Sequence, residues 1–235
     1  MVKKAIQPAL QSGVKSAVTP AFGASDGASS PVIESTYSRG IPSTTSLAMG
    51  VPTGIQAGDM LVAYVYCDQT ETFTPPAGWS NITPPSGFGH TSGLYYKKAT
   101  VSDETETGYT WGISSSEDAA GIILRISGAN TTPTNYDFDA VGTNNSPTIT
   151  PSNPNSLLLA FGSHDDTGNG WSSDPSTSDG YTLSVAQASR TGSSTGGVDG
   201  GIWYISPAGT GSTSPTFTVD GPEELWSGVI EIEPA

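Results

Sequence analysis

The chain has one cysteine, Cys67, two histidines, and only 8 Lys plus Arg among its 235 residues. Each shortage excludes something. A single cysteine rules out any intrachain disulfide, and its place inside an apolar run marks a buried reduced thiol, as in a protein folded in a cytoplasm. Scarce basic residues against 22 acidic ones leave a net charge of −14, which repels nucleic acid and anionic membrane surfaces. No run approaches the roughly 18 apolar residues of a membrane-spanning helix. Gln7, Pro8, Gln11, Ser12 and Lys15 interrupt what a secretory signal would require to be apolar. Gly-x-Ser-x-Gly occurs at Gly23–Gly27 and Gly192–Gly196, but in Ser/Gly-rich stretches without the flanking strand and helix pattern of a placed nucleophile, and there is no zinc spacing and no glycine-rich phosphate loop. The expectation is a protein that is not an enzyme and carries no cofactor.

What is abundant is turn-forming material: 29 Gly and 18 Pro, together with many Ser and Thr. That composition favours short strands joined by turns and leaves little for helices. The central stretch is Asp59–Cys67, a Val- and Tyr-rich run of strand length launched from Gly58. It occurs a second time at Ser156–Gly162, with Leu61 answering to Leu158 and Tyr64 to Phe161. The correspondence continues. Trp79–Ile82 aligns with Tyr181–Ser184, each after a turn ending in Gly, and Leu94–Tyr96 aligns with Ile202–Tyr204. Trp111 and Ile113 align with Phe217 and Val219, Glu117-Asp118 with Glu223-Glu224, and Leu124-Arg125-Ile126 with Ile230-Glu231-Ile232.

One unit of about five strands is therefore written twice, and neither copy can bury its apolar face alone. The fold expected is all-β: a single jelly-roll-like antiparallel β-sandwich of about ten strands, built from pseudo-repeats at about 44–128 and 146–233. Residues 1–43 read as an extended N-terminal arm before a domain at 44–235. In the arm, Ile6, Leu10, Val14 and Val18 recur every four residues on a stretch whose three lysines meet no acid up to residue 20. The two central runs are apolar on both faces, so each needs a second cover from long loops or a neighbouring subunit. Homo-oligomerisation is the expectation.

Polar clusters able to carry chemistry are few. His164-Asp165-Asp166 follows the second central run, and Glu104/Glu106 and Glu223/Glu224 are paired acids at turns. Asp165, Thr167 and Asn169 alternate before Gly170 as in a calcium loop, although Ser176 stands where a bidentate Glu belongs. Five Trp and nine Tyr in an acidic chain also raise sugar binding, with Trp171 as the platform and Asp174 and Asp179 beside it. Trp79, Trp111 and Trp203 fall on the strand pattern and read as core.

Gly58-Asp59-Met60-Leu61-Val62-Ala63, then Pro75-Pro76-Ala77-Gly78-Trp79, Tyr95-Tyr96-Lys97-Lys98-Ala99 and Ala119-Ala120-Gly121-Ile122-Ile123 together resemble a module of tailed-bacteriophage virion proteins. Asn155-Ser156-Leu157-Leu158-Leu159-Ala160-Phe161 resembles its continuation, so the likeness covers about 44–233. Its motifs are structural, and no active-site residue comes with it. The resemblance implies a non-enzymatic capsid decoration or head-fibre protein on the outside of a virion assembled in the host cytoplasm. The arm, residues 1–43, would dock on the major capsid protein or another virion protein. The alternative is a carbohydrate-binding module of a tail fibre or adhesin, recognising a host-surface glycan.

Overall fold

The computed structural model describes residues 29–82, 89–140, 144–145, 147–165, 180–190, 197–218 and 225–235. Within them the chain is an antiparallel β-sandwich, with one short 3-10 turn at Val101–Thr105. In order the strands are β1 (Val32–Gly50), β2 (Met60–Asp68), β3 (Phe73–Thr74), β4 (Ser80–Ile82), β5 (His90–Lys98), β6 (Gly108–Ser127), β7 (Tyr136–Ala140), β8 (Asn144–Asn145), β9 (Leu157–Asp165), β10 (Thr182–Arg190), β11 (Gly197–Ile205), β12 (Phe217–Thr218) and β13 (Leu225–Ile232). The two apolar runs singled out by sequence are β2 and β9, and each lies at the centre of a sheet.

The duplication is visible in the topology. The first sheet runs β1-β6-β2-β5-β4, with β3 added against β6; the second runs β7-β13-β9-β11-β10. Aligned segments occupy the same place in both orders, and each half supplies one whole sheet. In the stack β1 faces β10, β6 faces β11 and β2 faces β9. The ends of β6 and β13 meet through the Ala129–Pro234 bridge, so β2 and β9 rise in the same direction. These relations describe a pseudo-two-fold axis lying between the sheets and running along the strands. Residues on such an axis meet their own counterparts. Met60 and Leu157, Val62 and Leu159, and Tyr64 and Phe161 all enter one buried cluster, with the Tyr64 and Phe161 rings 5.4 Å apart. Trp226 stacks on both rings, at 5.5 and 5.6 Å.

The outer faces are covered from within the chain. Tyr37 and Gly50 lie on one strand and would sit roughly 40 Å apart if it were straight. Instead a Cβ on Gly50 would fall 2.7 Å from the Tyr37 ring, and Arg39 Nη1 donates to Ala48 O at 2.9 Å. The register slips between Ile41 and Ser46 let β1 double back, and its partner β6 turns with it. The folded ribbon brings Leu47, Met49, Tyr109 and Trp111 onto Leu61, Ala63, Val65 and Ile123 in a second buried cluster. In the other half the ribbon is broken into β8 and β12, and Phe217 covers Leu158, Ala160 and Val229. Of the two covers expected for the central runs, the chain itself supplies this one. Each half carries its own outer core and shares the central one.

The boundary of the arm also changes. Sequence places the start of the body at Thr44, whereas the structure pairs Val32 with Ser127 and continues from there. Residues 32–43 carry no apolar alternation because β1 is an edge strand held by its main-chain ladder to β6. The shared turn chemistry holds: Gly78 (φ 83°) and Gly180 (φ 82°), before Trp79 and Tyr181, both take the left-handed conformation that glycine tolerates best.

Candidate functional site

Tyr64 and Tyr66 on β2, His90 and Ser92 on β5, and Ser163 on β9 lean into the space between the sheets, towards the end where β2 and β9 finish. Ser163 is the hub. Its Oγ accepts from Tyr64 Oη at 2.7 Å and lies 2.5 Å from Ser92 Oγ and 3.1 Å from His90 Nε2. Tyr66 Oη donates to Gly200 O at 3.1 Å, a second polar link between the sheets. Ser163 has one proton to give and two lone pairs. With Tyr64 and a neutral His90 carrying its proton on Nε2 both donating to Ser163, the serine donates to Ser92. His90 Nδ1 is then a buried acceptor without a partner.

Burial shapes the electrostatics of the seam. It holds the Tyr64 and Tyr66 hydroxyls protonated far above the usual phenol range. Burial, reinforced by the nearby His164, pushes the His90 imidazole down to about 4. A serine beside a histidine invites comparison with a nucleophile and its base, but the geometry argues otherwise. Ser163 is 0% and His90 3% exposed, and no carboxylate orients His90 through Nδ1 as a catalytic triad requires. What the arrangement does chemically is tie β2 and β5 of one half to β9 and β11 of the other by directional bonds. Apolar packing alone would not fix that register.

Around the same end lie acids. Asp68 pairs across β2 and β5 with His90, and burial raises its carboxyl. Glu71 accepts from Ser114 and Ser115, and those bonds lower it. Burial first, then Asp68, Glu71 and Asp118, raises Glu117. Asp118 accepts the Ser43 amide at 2.8 Å. Cys67 lies buried among these groups, and burial with the Glu71, Glu117 and Asp68 charges pushes its thiol well up, so it is no nucleophile. Among the described residues these groups form no cluster with the makings of a metal site.

At the opposite end the two halves solve one problem in two ways. Arg125 and Glu231 occupy equivalent positions in β6 and β13. Arg125 Nε pairs with Asp59 Oδ2 at 2.6 Å, just before β2. Glu231 Oε1 accepts from Ser156 Oγ at 2.7 Å, just before β9, and its carboxylate also takes the Ser152 and Asn153 amides and Asn135 Nδ2. Asp59 and Ser156 share the spacing that relates the two runs. Burial raises Glu231, but these donors outweigh it and hold the carboxyl below its ordinary range.

Ile6, Leu10, Val14 and Val18, Thr167 and Asn169, and Trp171, Asp174 and Asp179 lie outside the described residues, as do Glu223 and Glu224. Asp165 closes β9, and His164, before it, is buried with Nδ1 3.1 Å from Asp165 O. Glu104 is spent on the Ala57 amide. Trp79, Trp111, Trp203 and Trp226 are all buried. The Ser163 hub escaped sequence reasoning. Its signal was the alignment of small Ser163 with bulky Tyr66, a size exchange at facing positions. No family model matches the chain, and no curated protein and no solved structure is significantly similar to it.

Proposed function

We propose that this chain is a non-enzymatic structural protein of a tailed-phage particle, displayed on its exterior as a capsid decoration or head-fibre subunit. The observation that carries the non-enzymatic part is the burial of Ser163 and His90, the pair with the most catalysis-like spacing, in a seam that serves the fold. The resemblance of residues 44–233 to virion modules supports the location. The body is strongly acidic while its first residues are basic and apolar, an asymmetry suited to a docking tail on a soluble outward-facing domain. The partner would be the major capsid protein or another virion protein, bound through residues preceding β1.

The placement of β1 sets the experiment. Removing residues 1–40 would cut into a strand paired with β6, so the informative truncation starts at residue 29. Full-length protein should co-sediment with purified particles lacking it, and residues 29–235 should stay folded and remain in the supernatant. Equal co-sedimentation of both would refute docking through the amino-terminal segment, and absence of the protein from particles would refute the virion role. The second reading, a glycan-binding module, retains Trp171, Asp174 and Asp179 as its candidates. It is favoured by an open polar cleft on the first half.

A further inference from the structure

Where β1 doubles back, it leaves a cleft of about 470 Å³ lined by Tyr37, Arg39, Ala48, Gly50, Thr107 and Thr110. That volume falls within the roughly 300–1,000 Å³ of small-molecule sites. Its floor is bare. Gly50 and Gly108 sit directly opposite each other, and a Cβ on Gly108 would fall 2.8 Å from Met49 O. The half-buried Tyr37 ring rests against Gly50. Arg39 is exposed, yet its guanidinium is positioned by the bond from Nη1 to Ala48 O, which leaves other N–H groups of the fork for a ligand. The ion pairs among the described residues, Lys97–Asp103 and Arg125–Asp59, do not involve it. Thr107 and Thr110 are exposed and bring hydroxyls to the opposite wall. Arg39 is the charged side chain on this lining, and Glu106, next to Thr107 in sequence, accepts the Thr107 amide at 3.1 Å.

We infer that this cleft is a binding site for a saccharide bearing a carboxylate, a hexuronic or sialic type of sugar. The carboxylate meets the Arg39 fork, for which planar bidentate geometry is specific. The pyranose C–H face lies on Tyr37, and the threonine hydroxyls bond the ring hydroxyls. Arg39 orients the ligand, since its acid is drawn to the charged side chain on the lining. The overall negative charge adds no long-range attraction for an anion, so the affinity is local and weak, in a range suited to multivalent display. The proposal rests on the glycan-binding reading and supplies it with a site other than Trp171.

The test is saturation-transfer NMR on the full chain with methyl β-D-glucuronide as probe and methyl β-D-glucoside as neutral control. The wild type should bind the glucuronide, and the glucoside should bind roughly tenfold more weakly or worse, the worth of one charge-assisted pair. Arg39→Gln should lose the same factor. Arg39→Lys, which keeps the charge and loses the fork, should fall between, and Tyr37→Ala should weaken both glycosides. Equal binding of the two glycosides, an unaffected Arg39→Gln, or no signal at all would overturn the site. Glucuronide binding that survives Arg39→Gln but is lost in Trp171→Ala would overturn it while leaving the glycan-binding reading in place.

Discussion

Titrating His90 should loosen the sandwich before any carboxylate does. Its folded pKa lies near 4 against 6.5 for the free side chain. Above pH 6.5 both folded and unfolded chains hold it neutral, so stability is at its full value there. Between pH 6.5 and 4 the unfolded chain takes up a proton that the folded chain refuses, and stability falls as pH is lowered. Below 4 both are charged and the loss levels off. At about 1.36 kcal/mol per pH unit, the integrated loss is on the order of 3 kcal/mol, a large part of a typical domain's stability. Equilibrium urea unfolding from pH 8 to 4.5 reads this directly, comparing wild type with His90→Gln, whose amide can still donate towards Ser163. The variant starts less stable at pH 8 but should lack most of the decline between pH 6.5 and 4.5. Asp103 and Glu231 are held below their ordinary range, so their contributions fade only at lower pH and are common to both proteins. Parallel stability curves for wild type and variant over that interval would refute the assignment of His90 as a buried neutral group.

Glu231→Gln should cost about 2–4 kcal/mol in urea unfolding at neutral pH, because it removes the charge from a carboxylate that gathers four donating residues; a change under about 0.5 kcal/mol would contradict that role. Gly228→Ala should cost about 1–3 kcal/mol, since the new Cβ would fall 2.5 Å from Phe138 and 2.6 Å from Phe161 in the central core. Gly211→Ala meets nothing within 4 Å and should be close to neutral in the same assay, which makes it the control.

Several elements were legible in the sequence because they obey local rules. β2 and β9 are apolar on both faces over strand length, and glycine turns precede Trp79 and Tyr181. Matching residues then revealed that the halves are copies. Sequence could not show that β1 begins at Val32, because Ser35, Thr36, Ser38 and Gly40 sit on an edge strand where backbone pairing replaces side-chain burial as the organising force. Nor could it show how the outer faces are closed. That depends on β1 and β6 bending in register, a long-range geometry invisible to periodicity. The candidate site was less legible still. Ser163, His90, Ser92 and Tyr64 are unremarkable polar residues drawn from three strands, and only the stacking of the sheets makes them neighbours. Arg125 and Glu231 could be aligned, but opposite charges gave no hint that both brace the turn before a central strand.

Two copies of one unit share a central core about an axis along β2 and β9. Native-state hydrogen exchange at increasing urea measures this sharing most directly. Amides of Val62–Tyr66 and Leu159–Ser163 should converge on the same opening free energy and be lost in one transition. Exchange of one set in a separate, earlier transition, with the other still protected, would show two independent cores and contradict it.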